Sequence, residues 1–210
     1  MPSQQLIWDN RFSVDSKYDY EVDWITPYLD FFKKCGFVSI LELGCGDGKC
    51  AVAMRNAGFK VLATDISDIA IKKLESSYEG LAVECVDMSM CLPFADESFD
   101  VVVSNLSSHY FSSEKTAKVY AEVLRVLKAS GAFLLRVNDK REYEINKKSD
   151  TVEVLGANYV LSVNGKKKHY FDVEDLRWCL ACFPNTWLNK VSLWCNGHKK
   201  YALEAIAYKG

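Results

Sequence analysis

The chain has 210 residues, of which 49% are hydrophobic and 26% are charged, and its formal net charge is −2. This length predicts one globular domain, residues 1–210, with a buried core. The nearly balanced charge argues against a nucleic-acid partner, because proteins that hold the phosphate backbone carry a basic surface, and the lysine clusters here are short and are interpreted as solvated loops.

Helix-like and strand-like hydrophobic periods alternate along most of the chain. The first half predicts a helix at 20–34, strands at 38–43, 60–64 and 81–86, and helices at 48–57 and 68–77, the last capped by Ser67. The second half predicts strands at 99–104 and 132–137, helices at 113–127 and 173–183, and two final strands at 187–195 and 201–208. This alternation favours an α/β fold with a mostly parallel sheet and helices on both faces.

Residues 138–170 interrupt the alternation. They are rich in polar and charged residues, with short β-like runs at 151–155 and 158–163 and a turn at Asn164-Gly165. We interpret them as an inserted hairpin or lid-like loop, and residues 1–35 as a helical N-terminal cover.

The sequence also predicts a cytoplasmic protein without a metal or a membrane partner. Residues 1–10 lack the basic start and apolar run of a signal peptide, and no apolar stretch reaches the roughly 18 residues of a membrane span. The eight cysteines are scattered. Cys179 and Cys182 form a C-x-x-C pair within an amphipathic pattern, and a zinc site would need a second pair. Buried free thiols are therefore expected.

A glycine-rich turn follows the first buried strand, in the run Glu42-Leu43-Gly44-Cys45-Gly46-Asp47-Gly48. Glycine permits a tight turn and a close approach of the backbone to a ligand, and the start of the next helix exposes unpaired N–H donors. Such a turn is typical of sites for nucleotide-like cofactors.

Acidic residues in and after the turn indicate which kind of nucleotide-like cofactor would bind. The G-x-G-x-G spacing differs from the dinucleotide fingerprint, and Glu42 and Asp47 would repel a pyrophosphate. S-adenosylmethionine carries a sulfonium and an ammonium group and no phosphate, so the acids complement it. Asp65 ends the second strand, where it can accept hydrogen bonds from a ribose, and Asp87-Met88 follows the third, where it suits an adenine. Each could be a plain turn or helix cap, but their succession at strand ends indicates a cofactor site.

The run from Ile40 to Gly48, together with Asp65, Asp87 and the stretch Ser98-Phe99-Asp100-Val101-Val102-Val103-Ser104-Asn105, resembles the class I S-adenosylmethionine-dependent methyltransferases over about residues 38–137. The resemblance implies a Rossmann-like, doubly wound sheet of seven strands with an antiparallel last strand. It also implies a set of cofactor-binding residues: Glu42, Leu43, Gly44, Cys45 and Gly46 at the methionine end, Asp65 and Ile66 at the ribose, Asp87 and Met88 at the adenine, and Asn105 and Leu106 beside the sulfonium.

The segment 104–111 bears on the methyl acceptor. It lacks the Asn-Pro-Pro-Tyr-like residues of adenine- and amide-methylating members, and no Pro-Cys nucleophile of the cytosine type occurs. Its pattern resembles the small-molecule branch, including the methyltransferase 11-like and tellurite-resistance-like groups. This resemblance implies a small-molecule acceptor and S-adenosylhomocysteine as the product.

Methyl transfer from a sulfonium is an in-line displacement, which an enzyme promotes largely by positioning. His109 is the candidate general base for an acceptor that must lose a proton, although a loop hydrogen bond would explain this histidine equally well. Tyr110 is a candidate acceptor-binding residue, as are Trp8, Arg11 and Tyr18 of an N-terminal segment that we expect to fold over the cofactor.

Two other functions remain open from the sequence. A nicotinamide-dependent dehydrogenase shares the fold class but not the loop spacing or the acids. A non-catalytic cofactor-binding or interaction protein would keep the same motifs. Neither the acceptor nor the oligomeric state is visible in the sequence, because a fold does not determine its substrate.

Overall fold

A computed structural model of the chain describes residues 3–14, 24–195 and 197–210. The helices are α1 (Gln4–Ser13), α2 (Thr26–Lys34), α3 (Lys49–Asn56), α4 (Asp68–Ser77), α5 (Ser113–Val126), α6 (Lys140–Asp150) and α7 (Val173–Cys179). The strands are β1 (Ser39–Leu43), β2 (Lys60–Asp65), β3 (Ala82–Cys85), β4 (Phe99–Asn105), β5 (Leu127–Asn138), β6 (Thr151–Gly156), β7 (Tyr159–Ser162), β8 (Lys167–His169), β9 (Asn185–Cys195) and β10 (His198–Tyr208). Within these residues, no helix combines the length and apolarity that a membrane crossing requires.

Seven strands form one sheet in the order β3-β2-β1-β4-β5-β10-β9. Strands β1 to β5 are parallel, whereas β10 is antiparallel to both β5 and β9. The predicted seven-stranded, mostly parallel α/β fold is confirmed. Because the order reverses between β1 and β4, the carboxyl ends of these strands border a crevice, where open α/β sheets bind ligands.

The central strands are continuous apolar runs because both faces of the sheet are covered. Along β4, Val102 packs with Leu41 and Phe133 in one hydrophobic cluster, while Val101 and Val103 belong to a second cluster on the other face. All five side chains are fully buried. Two cores therefore hold the sheet rigidly and fix the positions of the residues at its carboxyl edge.

The last hairpin extends past that edge. Ala202 of β10 pairs with Asn138, the last residue of β5, so residues 198–201 continue beyond the parallel strands and pair only with the end of β9. Side chains on this extension therefore lie beside the carboxyl ends of the other strands.

The inserted region is larger than the predicted hairpin. Strands β6 and β7 do form an antiparallel hairpin, but β8 adds a third strand and α6 precedes the small sheet. Asp139 caps α6, and its carboxylate accepts a hydrogen bond from the N–H of Arg141 at 2.8 Å. Strand β8 lies against a 3-10 turn formed by Ser108–Tyr110, so the insertion borders the carboxyl edge of the main sheet.

A buried ion pair joins β5 to β10. The Arg136 Nε donates to the Glu204 carboxylate at 2.6 Å, and the Tyr28 hydroxyl donates to the other carboxylate oxygen at 2.6 Å. The Arg136 guanidinium also stands 4.5 Å from the ring centroid of Trp24. Both charges are thus compensated, and the cluster ties the N-terminal helix region to the sheet.

Removing one member of this cluster should destabilise the fold. The substitution Arg136→Met leaves Glu204 buried without its counter-charge, and we expect the free energy of unfolding in urea to fall by about 3 kcal/mol. The control is Lys72→Met, which removes an exposed ion pair with Asp68 and should leave the urea midpoint unchanged. Equal shifts in the two variants would contradict the assignment.

Candidate functional site

The turn after β1 is held by backbone hydrogen bonds to β2. The N–H groups of Gly44 and Cys45 both donate to the Thr64 carbonyl at 2.8 Å. Gly44 has a φ of +72°, and a Cβ on it would lie 2.4 Å from the Cβ of Ser107. Glycine is therefore required here both by the left-handed backbone and by the close approach of the loop after β4.

Asp65, the last residue of β2, connects two loops. Its carboxylate accepts a hydrogen bond from the N–H of Gly46 at 2.9 Å and another from the N–H of Ser67 at 2.9 Å. Burial raises the pKa of Asp65, and these N–H donors oppose that rise. The side chain thus fixes the glycine turn and faces the same space as the turn.

Glu42 is a buried acid with an unpaired oxygen. Its side chain is 2% exposed, and within the described residues Oε2 has no hydrogen-bond partner. Burial, and then the negative charges of Asp47 and Asp65, raise the pKa of Glu42 to about 8. A group with a formal positive charge placed beside this carboxyl would be strongly stabilised.

The loop after β4 closes over the same space. Leu106 adopts a φ of +53°, and its N–H donates to the Arg136 carbonyl at 2.9 Å. The Ser107 hydroxyl donates to the Leu43 carbonyl at 2.7 Å. Asn105 donates weakly to the Cys50 sulfur at 3.8 Å, and its buried Oδ1 has no partner among the described residues. A second buried acceptor is therefore left unsatisfied near Glu42.

Helix α1 covers the site. The ring of Trp8 meets that of Tyr110 edge-on, with centroids 4.8 Å apart. The Asp9 carboxylate accepts a hydrogen bond from the Ser67 hydroxyl at 2.6 Å, which attaches α1 to the start of α4. Of the cover predicted over residues 1–35, α1 lines the cavity, whereas α2 packs into the hydrophobic cluster on one face of the sheet.

These elements enclose a cavity of about 1060 Å³, at the upper end of the range of roughly 300–1,000 Å³ for small-molecule sites. The predicted cofactor-binding residues that line it are Glu42, Gly44, Cys45, Gly46, Asp65, Ile66, Asp87, Met88, Asn105 and Leu106. The predicted acceptor-binding residues that line it are Trp8, Arg11 and Tyr110. The carboxyl edge therefore brings together most of the residues singled out from sequence.

Two of the predicted residues that the structure describes do not line the cavity with their side chains. Leu43 is buried in the core below the turn, so only its backbone reaches the site. His109 is 1% exposed and does not line the cavity; its ring lies 4.3 Å from that of Tyr110, centroid to centroid. In the 3-10 turn these neighbours point in different directions, so Tyr110 faces the cavity and His109 faces the interior. Tyr18 falls outside the described residues.

The sequence interpretation missed three lysines in the cavity wall, Lys49, Lys73 and Lys200, and also Cys195. Lys200 and Cys195 line it from the extension of the β9–β10 hairpin. The two residues reach the cavity because the β9–β10 hairpin extends past Asn138, where the pairing of β10 with β5 ends. Only the Lys199-Lys200 cluster itself could have drawn attention, and a charged hairpin end is ordinarily solvated.

The steric requirement at Gly44 can be tested with a second glycine as the control. Gly44→Ala combines a left-handed backbone with an overlap against Ser107, whereas Gly36→Ala has a φ of +74° and no neighbouring atom within 4 Å. We expect Gly36→Ala to lower the free energy of unfolding by about 1 kcal/mol and Gly44→Ala to lower it considerably more. Adding Ser107→Gly should restore part of the difference, and a failure to restore any would contradict the contact.

The raised pKa of Glu42 predicts a pH-dependent penalty on stability. In the unfolded chain a glutamic acid ionises near pH 4.5, whereas in the folded protein Glu42 ionises at about 8, so stability falls as the pH rises between these values. At pH 8, Glu42→Gln should therefore be more stable than the wild type by at least about 1 kcal/mol and should unfold at a higher temperature. The unfolding temperatures of the two proteins should converge near pH 5. Asp30→Asn, on an exposed surface, should keep the wild-type pH profile.

Comparisons with known proteins agree with this architecture. Residues 41–135 match the model of a family described as "Methyltransferase domain". The cypemycin N-terminal methyltransferase of Streptomyces sp. is 31% identical over 108 residues, which cover 50% of this chain and 44% of that protein. The chain spans about half the length of the curated relatives it matches.

Solved structures extend the likeness beyond that region. The PH0226 protein of Pyrococcus horikoshii OT3 aligns with a TM-score of 0.72 at 22% identity, covering 90% of this chain and 89% of that one. A Burkholderia thailandensis 1,6-didemethyltoxoflavin-N1-methyltransferase, solved with 1,6-didemethyltoxoflavin and S-adenosylhomocysteine bound, aligns with a TM-score of 0.65 at 15% identity, covering 88% and 77%. At these identities the likeness establishes the fold.

Proposed function

We propose that this chain, of which residues 41–135 match a methyltransferase-domain family model, is a class I S-adenosylmethionine-dependent methyltransferase that moves a methyl group from S-adenosylmethionine to a small-molecule acceptor. The observation that carries the proposal is a pair of buried, unpartnered oxygen acceptors at the glycine turn. Glu42 Oε2 and Asn105 Oδ1 have no partners within the described residues, and both side chains line the cavity. Buried acceptors without donors are costly, so they favour a ligand that donates hydrogen bonds, and the acidic group of Glu42 favours one with a positive charge.

The residues present fit this cofactor along its whole length. Glu42 and the turn Gly44–Gly46 would hold the methionine end, where the ammonium meets the buried carboxylate. Asp65 keeps lone pairs for ribose hydroxyls after accepting its two backbone hydrogen bonds. Asp87 and Met88 at the end of β3 would hold the adenine between a carboxylate and an apolar side chain. No phosphate-binding group is needed at any of these positions.

The cofactor supplies a methyl group that is already activated, so the protein contributes mainly position and a dry site. Asn105 and Leu106 fix the floor of the cavity where β4 ends. Trp8 and Tyr110 pack together above it and exclude water from the reacting atoms. Alignment of two bound reactants is worth roughly 7–11 kcal/mol of the barrier, which is ample for this reaction class.

We retain His109 as the proposed base for an acceptor that must lose a proton. Burial, followed by the charges of nearby lysines, holds the pKa of His109 well below its usual value. The neutral imidazole is the form that accepts a proton, but the same burial and positive charges disfavour the imidazolium that would result, so His109 would be a weak base in this position. Because the side chain lies behind the cavity wall, direct contact with an acceptor would require the 3-10 turn or Tyr110 to move.

A small acceptor is supported by the shape and charge of the site. The cavity is bounded by α1, the 3-10 turn and the β9–β10 hairpin, and it has room for the cofactor and a modest second molecule. The net charge of −2 disfavours a nucleic-acid substrate. Among similar structures, the Burkholderia 1,6-didemethyltoxoflavin-N1-methyltransferase was solved with the small molecule 1,6-didemethyltoxoflavin and S-adenosylhomocysteine bound.

Titration with S-adenosylhomocysteine, S-adenosylmethionine and NADH by calorimetry tests the cofactor assignment. We expect the first two to bind and NADH not to bind. Glu42→Gln should weaken S-adenosylhomocysteine by at least about tenfold, because a charge-assisted contact with the ammonium is lost, while Asp30→Asn should bind as the wild type does. Binding of NADH alone, or unchanged affinity in Glu42→Gln, would refute the assignment.

Catalysis is tested separately with a panel of small acceptors and isotopically labelled methyl donor. Turnover of any small acceptor that requires the intact turn supports the enzyme over a non-catalytic binding protein. Methylation of transfer RNA in preference to every small acceptor would contradict the proposed substrate class.

A further inference from the structure

Lys200 is a partly buried cation in the wall of the cavity. It lies on the extension of β10 beyond Asn138 and lines the cavity wall. Burial lowers the pKa of its ammonium, Cys195 opposes that change, and Lys168 adds a smaller lowering. Glu142 opposes this effect, but its carboxylate already accepts a hydrogen bond from the Tyr201 N–H at 2.8 Å.

Within the part of the chain that the structure describes, Lys200 forms no ion pair. Withdrawing an ammonium from water without a counter-charge is unfavourable. A side chain in this state, facing an internal space, is suited to an anion that enters from outside.

Two more lysines stand at the same end of the site. Lys168 lies in β8, and the Lys166 ammonium lies 3.8 Å from the centroid of the Trp8 ring. Their combined field, with that of Lys200, is felt at His109, whose pKa they depress after the larger effect of burial. The potential behind Tyr110 is therefore positive.

The opposite half of the cavity is acidic. Glu42, Asp47, Asp65 and Asp87 line it from the ends of β1, β2 and β3 and outnumber the two lysines, Lys49 and Lys73, that line the same half. Lys49 pairs with Asp47 at 3.7 Å. The strand order β3-β2-β1-β4-β5-β10 places these acids on one side of β4 and Lys200 on the other. One cavity therefore has a negative half, which suits the cationic cofactor, and a positive half, which suits an anion.

We propose that the methyl acceptor carries an oxyanion, a carboxylate or a phosphate, and that Lys200 binds it. This inference rests on the proposed function, since it takes the acidic half as the place of the cofactor. Lys166 and Lys168 add positive potential without contacting the anion directly. The acceptor is then fixed by its charged end at β10, and its reacting atom points towards Asn105 at the end of β4.

Oxyanion binding can be measured directly on the protein saturated with S-adenosylhomocysteine. Inorganic phosphate and acetate are titrated at constant ionic strength against chloride, with thermal unfolding as the readout. We expect one or both oxyanions to stabilise the wild type more than chloride does, and Lys200→Met to bind them at least about tenfold more weakly. Lys72→Met, which removes an exposed lysine of α4, is the matched control and should behave as the wild type.

Three results would overturn the assignment. The first is that neither oxyanion stabilises the wild type more than chloride does. The second is that Lys200→Met binds the oxyanions as tightly as the wild type does. The third is a loss of S-adenosylhomocysteine affinity in Lys200→Met, because that would assign the lysine to the carboxylate of the cofactor itself. If the wild type binds no S-adenosylhomocysteine, the proposed function fails, and the same oxyanion titration on the protein alone still decides the role of Lys200.

A second measurement needs no variant. Reductive methylation of lysines by formaldehyde, followed by peptide mass spectrometry, reports the reactivity of each ammonium in the wild type. Phosphate or acetate should slow modification of Lys200 several-fold and leave Lys72 unchanged. Equal rates with and without the oxyanions would contradict the proposal.

A panel of carboxylate acceptors and their primary amides then distinguishes carboxylate from phosphate recognition. The acids should be methylated in preference to the amides if carboxylate is the group bound.

Discussion

The site depends on the way the chain passes from β1 into α3. Two backbone N–H groups, those of Gly44 and Cys45, converge on the Thr64 carbonyl, and the Asp65 carboxylate accepts the next N–H of the turn. The end of β2 thus supplies most of the partners for the turn that follows β1. Because both strands are locked in a sheet with buried faces, the turn has little freedom. Every other part of the cavity is placed relative to it, including the Ser107 loop that packs on Gly44.

Two buried clusters of ionisable side chains have different roles in this protein. Arg136 and Glu204 neutralise each other at 2.6 Å, and their contacts are complete. Glu42 is equally buried but keeps an oxygen without a partner, beside two further acids. The first cluster stabilises the fold, whereas the second weakens the unliganded protein and strengthens the attraction for a cation. Local instability at a binding site is the expected consequence of building it in advance of its ligand.

Much of the fold was predictable because its signals are local. A short apolar run followed by glycines and acids specifies a strand, a turn and a helix without information from distant residues. The physical reasons for individual residues were less predictable. A glycine at position 44 was expected because a ligand must approach the backbone closely, but the structure also requires Gly44 for the close approach of Ser107, 63 positions further along. His109 and Tyr110 are neighbours, yet the 3-10 turn sends one inward and one to the cavity. The role of Lys200 depends on the register of β10, which composition does not encode.

The separation of charge within one cavity bears on specificity. Four acids and two lysines line the half at the ends of β1 to β3, whereas Lys200 lines the half at β10, and Lys166 and Lys168 of the inserted region add positive potential nearby. A cationic group that entered the basic half would meet repulsion from Lys200, and an anion in the acidic half would meet Glu42, Asp47 and Asp65. Repulsion of wrongly oriented ligands discriminates as effectively as attraction of the right ones. The sheet order that brings β10 beside β5 therefore does more than complete the fold, because it places Lys200 at the opposite end of the cavity from Glu42, Asp65 and Asp87.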